Sequence, residues 1–407
     1  MVSELTKDTL VMVLAGGQGE RLYPLTKERA KPAVPFGGLY RIIDFTLSNC
    51  LNSDLRRIYV LTQYKADSLN RHVRLGWQIF NPAIGEYIEI RPPQQRMSSD
   101  WYLGTAHAIY QNIYTLDQER PSCVLVLSGD HVYRMDYAHM LRQHNECQAD
   151  VTVACIERPV DQAAGRLGVV RADAEGRVLS IAEKPSEPDQ LPERPGHCLC
   201  SMGIYAFKTE SLVRRVIDDA KSDSEHDFAL NVLPDMVRNG DSVFVYRYDG
   251  YWRDIGTLDA YWDANMDLLR VQPAFNLYDP EWPIRSYATS RPPAKVVFGA
   301  GGGEQPHSEV YNSLVCNGAI ISGAHVSDSI IGPDVRVEVG SRVERSIILQ
   351  DTQLGRDVTI RRAILDKHNT VPDGAQIGVD RDWDRRHFSV SSEGVVVVPK
   401  AMPWPRD

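Results

Sequence analysis

Long hydrophobic runs are missing from this 407-residue chain. No stretch is apolar for long enough to span a bilayer, and no basic-then-apolar leader stands at the start, which excludes a membrane protein and favours a cytoplasmic one. Cysteine is scarce. Seven residues (Cys50, Cys123, Cys147, Cys155, Cys198, Cys200 and Cys316) are an odd number scattered through a long sequence, unlike a secreted disulfide framework, so reduced and mostly packed thiols are expected. Cys198 and Cys200 have no second pair at metal-ligand spacing, which argues against zinc. Excess positive charge is also lacking. The formal net charge is −9, and no basic stripe breaks it, so nucleic acid is not an expected partner. Small polyanions remain open, provided that local Arg, Lys, backbone N–H groups and a metal hold them against the overall charge.

What is present is the make-up of an ordinary globular protein, 43% hydrophobic and 24% charged, and too long for one typical core. The first two thirds alternate short β-branched or apolar runs (Leu10 to Leu14, Ile58 to Leu61, Val124 to Leu127, Val151 to Ile156) with segments of helical spacing such as Ala106 to Leu116 and Tyr137 to Cys147. Strand–helix–strand repetition predicts an α/β domain with a mostly parallel, Rossmann-like sheet whose ligands sit at the carboxyl ends of the strands. A helical segment from Thr257 to Arg270 closes it. Pro273, Pro280, Pro283, Pro292 and Pro293 then punctuate a stretch that cannot be regular for long. Beyond it Ile331, Val337, Val343 and Leu349 recur six apart, Leu354 and Ile360 resume the step after a slip, and Ile320 and Val326 share it. Hexapeptide periodicity predicts a parallel β-helix, with one inward aliphatic per flat side of each coil. The expected domains are 1–270, a linker 271–305, and 306–407 with a C-terminal tail.

Three clusters carry chemistry. The first strand runs into Leu14-Ala-Gly-Gly-Gln-Gly-Glu-Arg-Leu22, where Gly16, Gly17 and Gly19 let backbone N–H groups approach an anion. It is neither the dinucleotide fingerprint nor a Walker loop. Arg21 and Lys31 follow and add fixed positive charge suited to phosphate. Asp130 in Ser128-Gly-Asp-His-Val-Tyr133 and Asp254 in Tyr251-Trp-Arg-Asp254 each follow a strand-like run, and two carboxylates at two strand ends suit a Mg²⁺ that keeps several waters. Glu183 and Lys184 stand before the stiffening Pro185, where the lysine can meet a sugar phosphate and the glutamate sugar hydroxyls.

In this order the residues resemble the bacterial glucose-1-phosphate adenylyltransferases, the ADP-glucose pyrophosphorylases. The resemblance covers nearly the whole chain. Its most specific stretches are the glycine turn, Arg29-Ala-Lys-Pro-Ala-Val34, Phe36-Gly-Gly38, Arg41-Ile-Ile-Asp-Phe45, Leu47-Ser-Asn49, Gln94-Gln-Arg-Met97, Trp101-Tyr102, Gly104-Thr-Ala106, Ser201-Met-Gly-Ile-Tyr205, His226-Asp-Phe228 and Tyr251-Trp-Arg-Asp254. It implies a nucleotidyltransferase domain followed by a left-handed β-helix, with ATP and glucose 1-phosphate as substrates and Mg²⁺ as cofactor. Gly16, Gly17 and Gly19 would cradle the ATP phosphates, and Gln63, Gln95, Gly104 and Thr105 would form the adenosine side. Tyr102, Gly168, Glu183, Lys184 and Ser201 would hold glucose 1-phosphate. Arg21 and Lys31 would stabilise the triphosphate, and Asp130 with Asp254 would carry the metal. The resemblance further implies a homotetramer, a place in glycogen synthesis, and allosteric control by sugar phosphates or nucleotides. Arg29, Arg41, Lys367 and Lys400 are the expected anion-binding regulatory site between the domains. Two departures stand out. Many relatives carry Gly and an acid after His-Asp-Phe where this chain has Ala229-Leu-Asn231, and position 28 is Glu where some carry a basic residue. The rival readings are a sister nucleotidyltransferase using another nucleoside triphosphate, a hexapeptide-repeat acyltransferase with His325 or His368 as base, and a noncatalytic regulatory subunit, which would show damage at Arg21, Lys31, Asp130, Lys184 or Asp254, all five of them intact.

Overall fold

A computed structural model of the chain describes residues 2–93, 101–299 and 306–405. A nine-stranded sheet organises the first domain. Its centre is the apolar strand Thr9–Ala15, which pairs in parallel with Arg57–Thr62 on one side and Cys123–Ser128 on the other. Leu10, Val11, Met12 and Val13 are all fully buried, because an interior strand is covered on both faces and so reads as a continuous apolar run rather than an alternating one. Tyr87–Arg91 continues the parallel half. The other half turns on His197–Lys208, which runs antiparallel to Cys123–Ser128, to Val151–Pro159 and to Val169–Ala172. That long seam sets the Ser201 region beside the end of the central strands.

Every expected strand lies within an observed one. The helical segment Ala106 to Leu116, expected as one piece, is two helices, Thr105–Tyr110 and Ile113–Glu119. Between them the Asn112 amide donates to the Ala108 carbonyl (2.8 Å) and to the Tyr102 hydroxyl (3.2 Å), which offers the backbone an alternative to straight continuation.

The second domain is a stack of parallel coils with three flat sheets. One coil spans 17 residues, since Ile331 pairs with Ile348, which pairs with Leu365. The inward step is therefore six, six and five, which is the slip seen in the sequence. Two register details differ from expectation. Ile321, not Ile320, faces the coil interior, and Ile348 continues the column that Ile331 begins, while Leu349 turns outward to the first domain. Lys295–Val297, within the stretch read as linker, already pairs with Ile320–Ser322.

The two domains share a core. Phe36, Phe45, Tyr261 and Trp262 pack with Ile347, Leu349, Ile364 and Val397 of the coils. Burial of apolar surface on this scale is the main attraction between them. Buried polar contacts fix the register, with Arg29 donating to Asp366 at 3.0 Å and Trp262 Nε1 to the Arg345 carbonyl at 3.0 Å. Among the described residues no helix is long and apolar enough to cross a membrane.

Candidate active site

Two cavities open at the carboxyl ends of the central strands. One, of about 390 Å³, is lined by Gly16, Gly17, Lys31, Gln63, Gly104 and Asp130. The other, of about 220 Å³, is lined by Arg21, Gly168, Glu183, Lys184, Ser201 and Asp254. Leu14, Thr105, Ser128 and Asp227 border both, so the two form one bipartite cleft.

The glycine turn is built by sterics. Gly19 has φ 67°, and a Cβ there would lie 3.0 Å from Lys31 Cβ and 3.1 Å from Thr26 Cγ2. Only glycine takes that backbone without strain while a neighbouring segment packs so closely. Across the cleft, a Cβ on Gly104 would strike the carbonyl oxygens of Glu225 and His226. The same close approach lets the His226 carbonyl accept from Ala106 N (2.8 Å) at the start of the helix Thr105–Tyr110.

Lys31 stands where the cavities meet. Its ammonium lies 2.6 Å from Asp130 Oδ2 and 3.2 Å from Asp254 Oδ1. The convergence comes from a small antiparallel pairing of His131–Tyr133 with Trp252–Asp254, in which Asp254 faces His131. Burial works against the charge on Lys31, but the two carboxylates outweigh it and its pKa is raised. Burial likewise opposes ionisation of Asp130, yet Lys31 and His131 prevail and hold its carboxyl well below the usual range. The Ser128 hydroxyl donates to the same carboxylate.

Ligand atoms of Asp130, His131 and Asp254 lie within 4.8 Å of one another. A carboxylate just past one strand and another at the end of a second, beside a phosphate-sized cavity, make a donor set that fits a hard divalent cation. Those two acids and, at the edge, His131 would hold it.

The other predicted residues fall as follows. Gln63 Nε2 donates to the Tyr102 carbonyl at 3.3 Å, and Tyr102, expected with the sugar phosphate, lines the first cavity. Gln95, with the rest of Gln94-Gln-Arg-Met97, lies outside the described residues. Ser201 N donates to the Gly168 carbonyl at 2.8 Å, which joins two walls of the second cavity, and Lys184 pairs with Glu183 at 2.6 Å. Arg29, Arg41, Lys367 and Lys400 all line a third cavity, of about 630 Å³, between the domains. Arg29 is tied to Asp366 and Lys400 to Glu28, the latter at 2.6 Å. Burial, then repulsion from Arg41 and Arg29, pushes Lys367 down to about 8. His325, weighed as an acyl-transfer base, pairs with Glu309 at 3.1 Å on the coil surface.

Sequence reasoning gave no role to Asp227, which borders both cavities. Its carboxylate accepts from the Thr105 hydroxyl at 2.9 Å and from the N–H groups of Ala229 and Leu230 at 2.8 and 3.1 Å. Of the departure at Ala229-Leu-Asn231, Ala229 lines the second cavity, and behind it the Asn231 side chain accepts from Asp227 N and donates to Glu225, both at 3.0 Å. The only signal in the sequence was the His-Asp-Phe stretch itself.

Residues 10–271 match the nucleotidyl transferase family, and residues 292–398 match the GlmU-like C-terminal hexapeptide family. Curated relatives cover almost the entire chain. A glucose-1-phosphate adenylyltransferase of Rhodopirellula baltica is 47% identical over 97% of this chain and 91% of its own length. That of Methylococcus capsulatus is 48% identical over 98% and 94%. Glucose-1-phosphate adenylyltransferase 2 of Vibrio cholerae is 47% identical over 97% and 98%.

Proposed function

The chain belongs to the glucose-1-phosphate adenylyltransferase family, and from that premise we propose that it transfers the adenylyl group of ATP to glucose 1-phosphate, giving ADP-glucose and pyrophosphate. The observation that carries the reading is the position of Lys31. Clasped by Asp130 and Asp254, it lies at the junction of a glycine-lined cavity and a second one walled by Glu183 and Lys184.

In this reading Gly16, Gly17 and Gly19 cradle the triphosphate, while Gln63, Gln95, Gly104, Thr105 and, by its position, Tyr102 form the adenosine side. Gly168, Glu183, Lys184 and Ser201 hold the sugar phosphate. Mg²⁺ on Asp130 and Asp254 supplies neutralisation of phosphate charge. The attacking group is a phosphate oxygen that is already anionic, so the protein contributes no nucleophile. Its task is to align two anions in line and to offset their repulsion. Lys31 presents its ammonium between the two acids, and Arg21, which lines the second cavity beside Asp254, takes up charge on the departing pyrophosphate. Thr105 and Asp227, shared by both cavities, hold the two halves of the cleft in fixed relation.

The interdomain cavity is part of the same proposal, as a site for an anionic effector, a sugar phosphate or a nucleotide, held by Arg41 and Lys367 with Arg29 and Lys400 around them. So are a cytoplasmic location, assembly as a homotetramer and delivery of the product to glycogen synthesis.

The test is direct. Each nucleoside triphosphate is supplied in turn with glucose 1-phosphate and Mg²⁺, and released pyrophosphate is measured. ATP is expected to be strongly preferred. Preference for another triphosphate would replace this reading by a sister activity, and release of no pyrophosphate with any of them would remove it.

A further inference from the structure

The second cavity has acidic walls, Glu183, Asp227 and Asp254, yet on the proposed function it must admit an anion. One of its cations, Lys184, is engaged by Glu183 at 2.6 Å. Two more line it without a partner among the described residues: Arg21, already given to the departing pyrophosphate, and Arg166. Arg166 lines the cavity, is exposed, and its guanidinium makes no hydrogen bond or ion pair among the described residues.

Its backbone, by contrast, is fixed. Arg166 N and Leu167 N both donate to the Ala163 carbonyl at 3.0 Å, and Ala163 is fully buried. On one side Gly165 N donates to the Pro185 carbonyl at 2.9 Å, tying the turn to the Glu183–Lys184 loop. On the other the Gly168 carbonyl accepts from Ser201 N at 2.8 Å. The turn is anchored to two further walls of the cavity while its charged head is left without a partner. That is the arrangement of a ligand contact: the ordering cost of the main chain is already met by the fold, and the head loses no internal bond on engaging an anion.

We propose that Arg166 is a further substrate-binding residue, which grips the phosphate of the incoming sugar 1-phosphate from the rim of the second cavity, on the same side as the neighbouring Lys184. The assignment rests on the proposed function. A planar fork presents two parallel donors in fixed geometry to two phosphate oxygens, which the point charge of a lysine does not, and it offsets the acidic walls that would otherwise repel the substrate. The contact is made as the sugar phosphate binds, so its loss falls on KM for that substrate far more than on kcat.

Steady-state kinetics of R166A, R166K and R166E, each with folding checked by thermal unfolding, test this. In R166A, KM for glucose 1-phosphate is expected to rise about tenfold to a hundredfold, the range for losing one charge-assisted hydrogen bond. KM for ATP is expected to stay within about twofold. R166E should be worse than R166A and R166K better, and raising the ionic strength should raise the sugar phosphate KM of the wild type more steeply than that of R166A. An unchanged KM for glucose 1-phosphate in R166A and R166E overturns the proposal, as does an equal rise in both KM values. If the wild type itself fails to use glucose 1-phosphate, the proposed function falls. The same series is then run on whichever sugar 1-phosphate the wild type accepts, with the same outcomes deciding.

Discussion

Asp130 and Asp254 share one cation: Lys31 Nζ lies 2.6 Å from an oxygen of the first and 3.2 Å from an oxygen of the second. The two acids come from distant parts of the chain and meet because two short strands pair across the mouth of the sheet. Neither carboxylate can be altered without changing what the other sees.

Asp130→Asn is therefore expected to leave KM for glucose 1-phosphate close to that of the wild type while kcat falls on the order of 10²- to 10³-fold, the usual effect of losing one preorganised electrostatic contact. Asp254→Asn should act similarly, and the double variant should lose less than the product of the two because both act on the same centre. Steady-state kinetics decide, and near-normal turnover in Asp130→Asn would remove this residue from the reaction.

Lys31→Met leaves two facing carboxylates without their shared ammonium. The Lys31 side chain is buried and the two carboxylates are only partly exposed, so the remaining charges repel in a partly desolvated place, and unfolding free energy should fall by about 2 kcal/mol. Adding Mg²⁺ should return part of that loss in the variant and much less in the wild type, because the cation takes the role of the missing charge. Thermal unfolding with and without Mg²⁺ reads both; a variant as stable as the wild type and indifferent to Mg²⁺ would contradict the geometry.

The interdomain cavity should bind anions in a pH-dependent way. Lys367 is held down to about 8, first by burial and then by Arg41 and Arg29, with Asp366 opposing and Lys400 adding to the shift. Glu28 and His368 face the same space. The charge on Lys367 is thus present below about pH 8 and lost above it, while the arginines of the cavity keep theirs. Sulfate, a dianion throughout this window, should stabilise the protein at pH 7 and much less at pH 9, at ionic strength matched with chloride. Lys367→Met should flatten the difference. The sign for stability is opposite: the unfolded lysine keeps its proton to about 10.4, so between about pH 8 and 10 this residue makes stability rise with pH. Melting curves across pH check both.

Asp366→Asn tests the hold between the domains. Asp366 and Arg29 are almost wholly buried and 3.0 Å apart, so removing one charge leaves the other uncompensated, and a loss of about 3 kcal/mol in unfolding free energy is expected. Arg29→Met with Asp366→Asn should restore part of it. Denaturant titration measures each.

Much of the architecture was legible without coordinates. The apolar run Leu10 to Leu14 names a strand buried on both faces, and the six-residue step from Ile331 names a coil, because such periods follow from local backbone geometry and depend on few distant contacts. The glycine turn was legible for the same reason, since Gly19 answers to a φ of 67°. The slip at Leu349 was visible but its meaning was not. Only the stacking of Ile331 on Ile348 shows which residue turns inward and which turns to the neighbouring domain.

The amino-acid sequence by itself determined the strands, the coil period and the chemical character of the cleft, all of which depend on neighbours along the chain. Tertiary structure alone decided that Asp254 reaches Asp130, that Asp227 borders both cavities, and that Arg29 and Lys367 meet Arg41 across two domains. These relationships join residues separated by most of a domain. They are set when sheets and coils bury their apolar faces against one another, a matter of three-dimensional packing that no local spacing encodes.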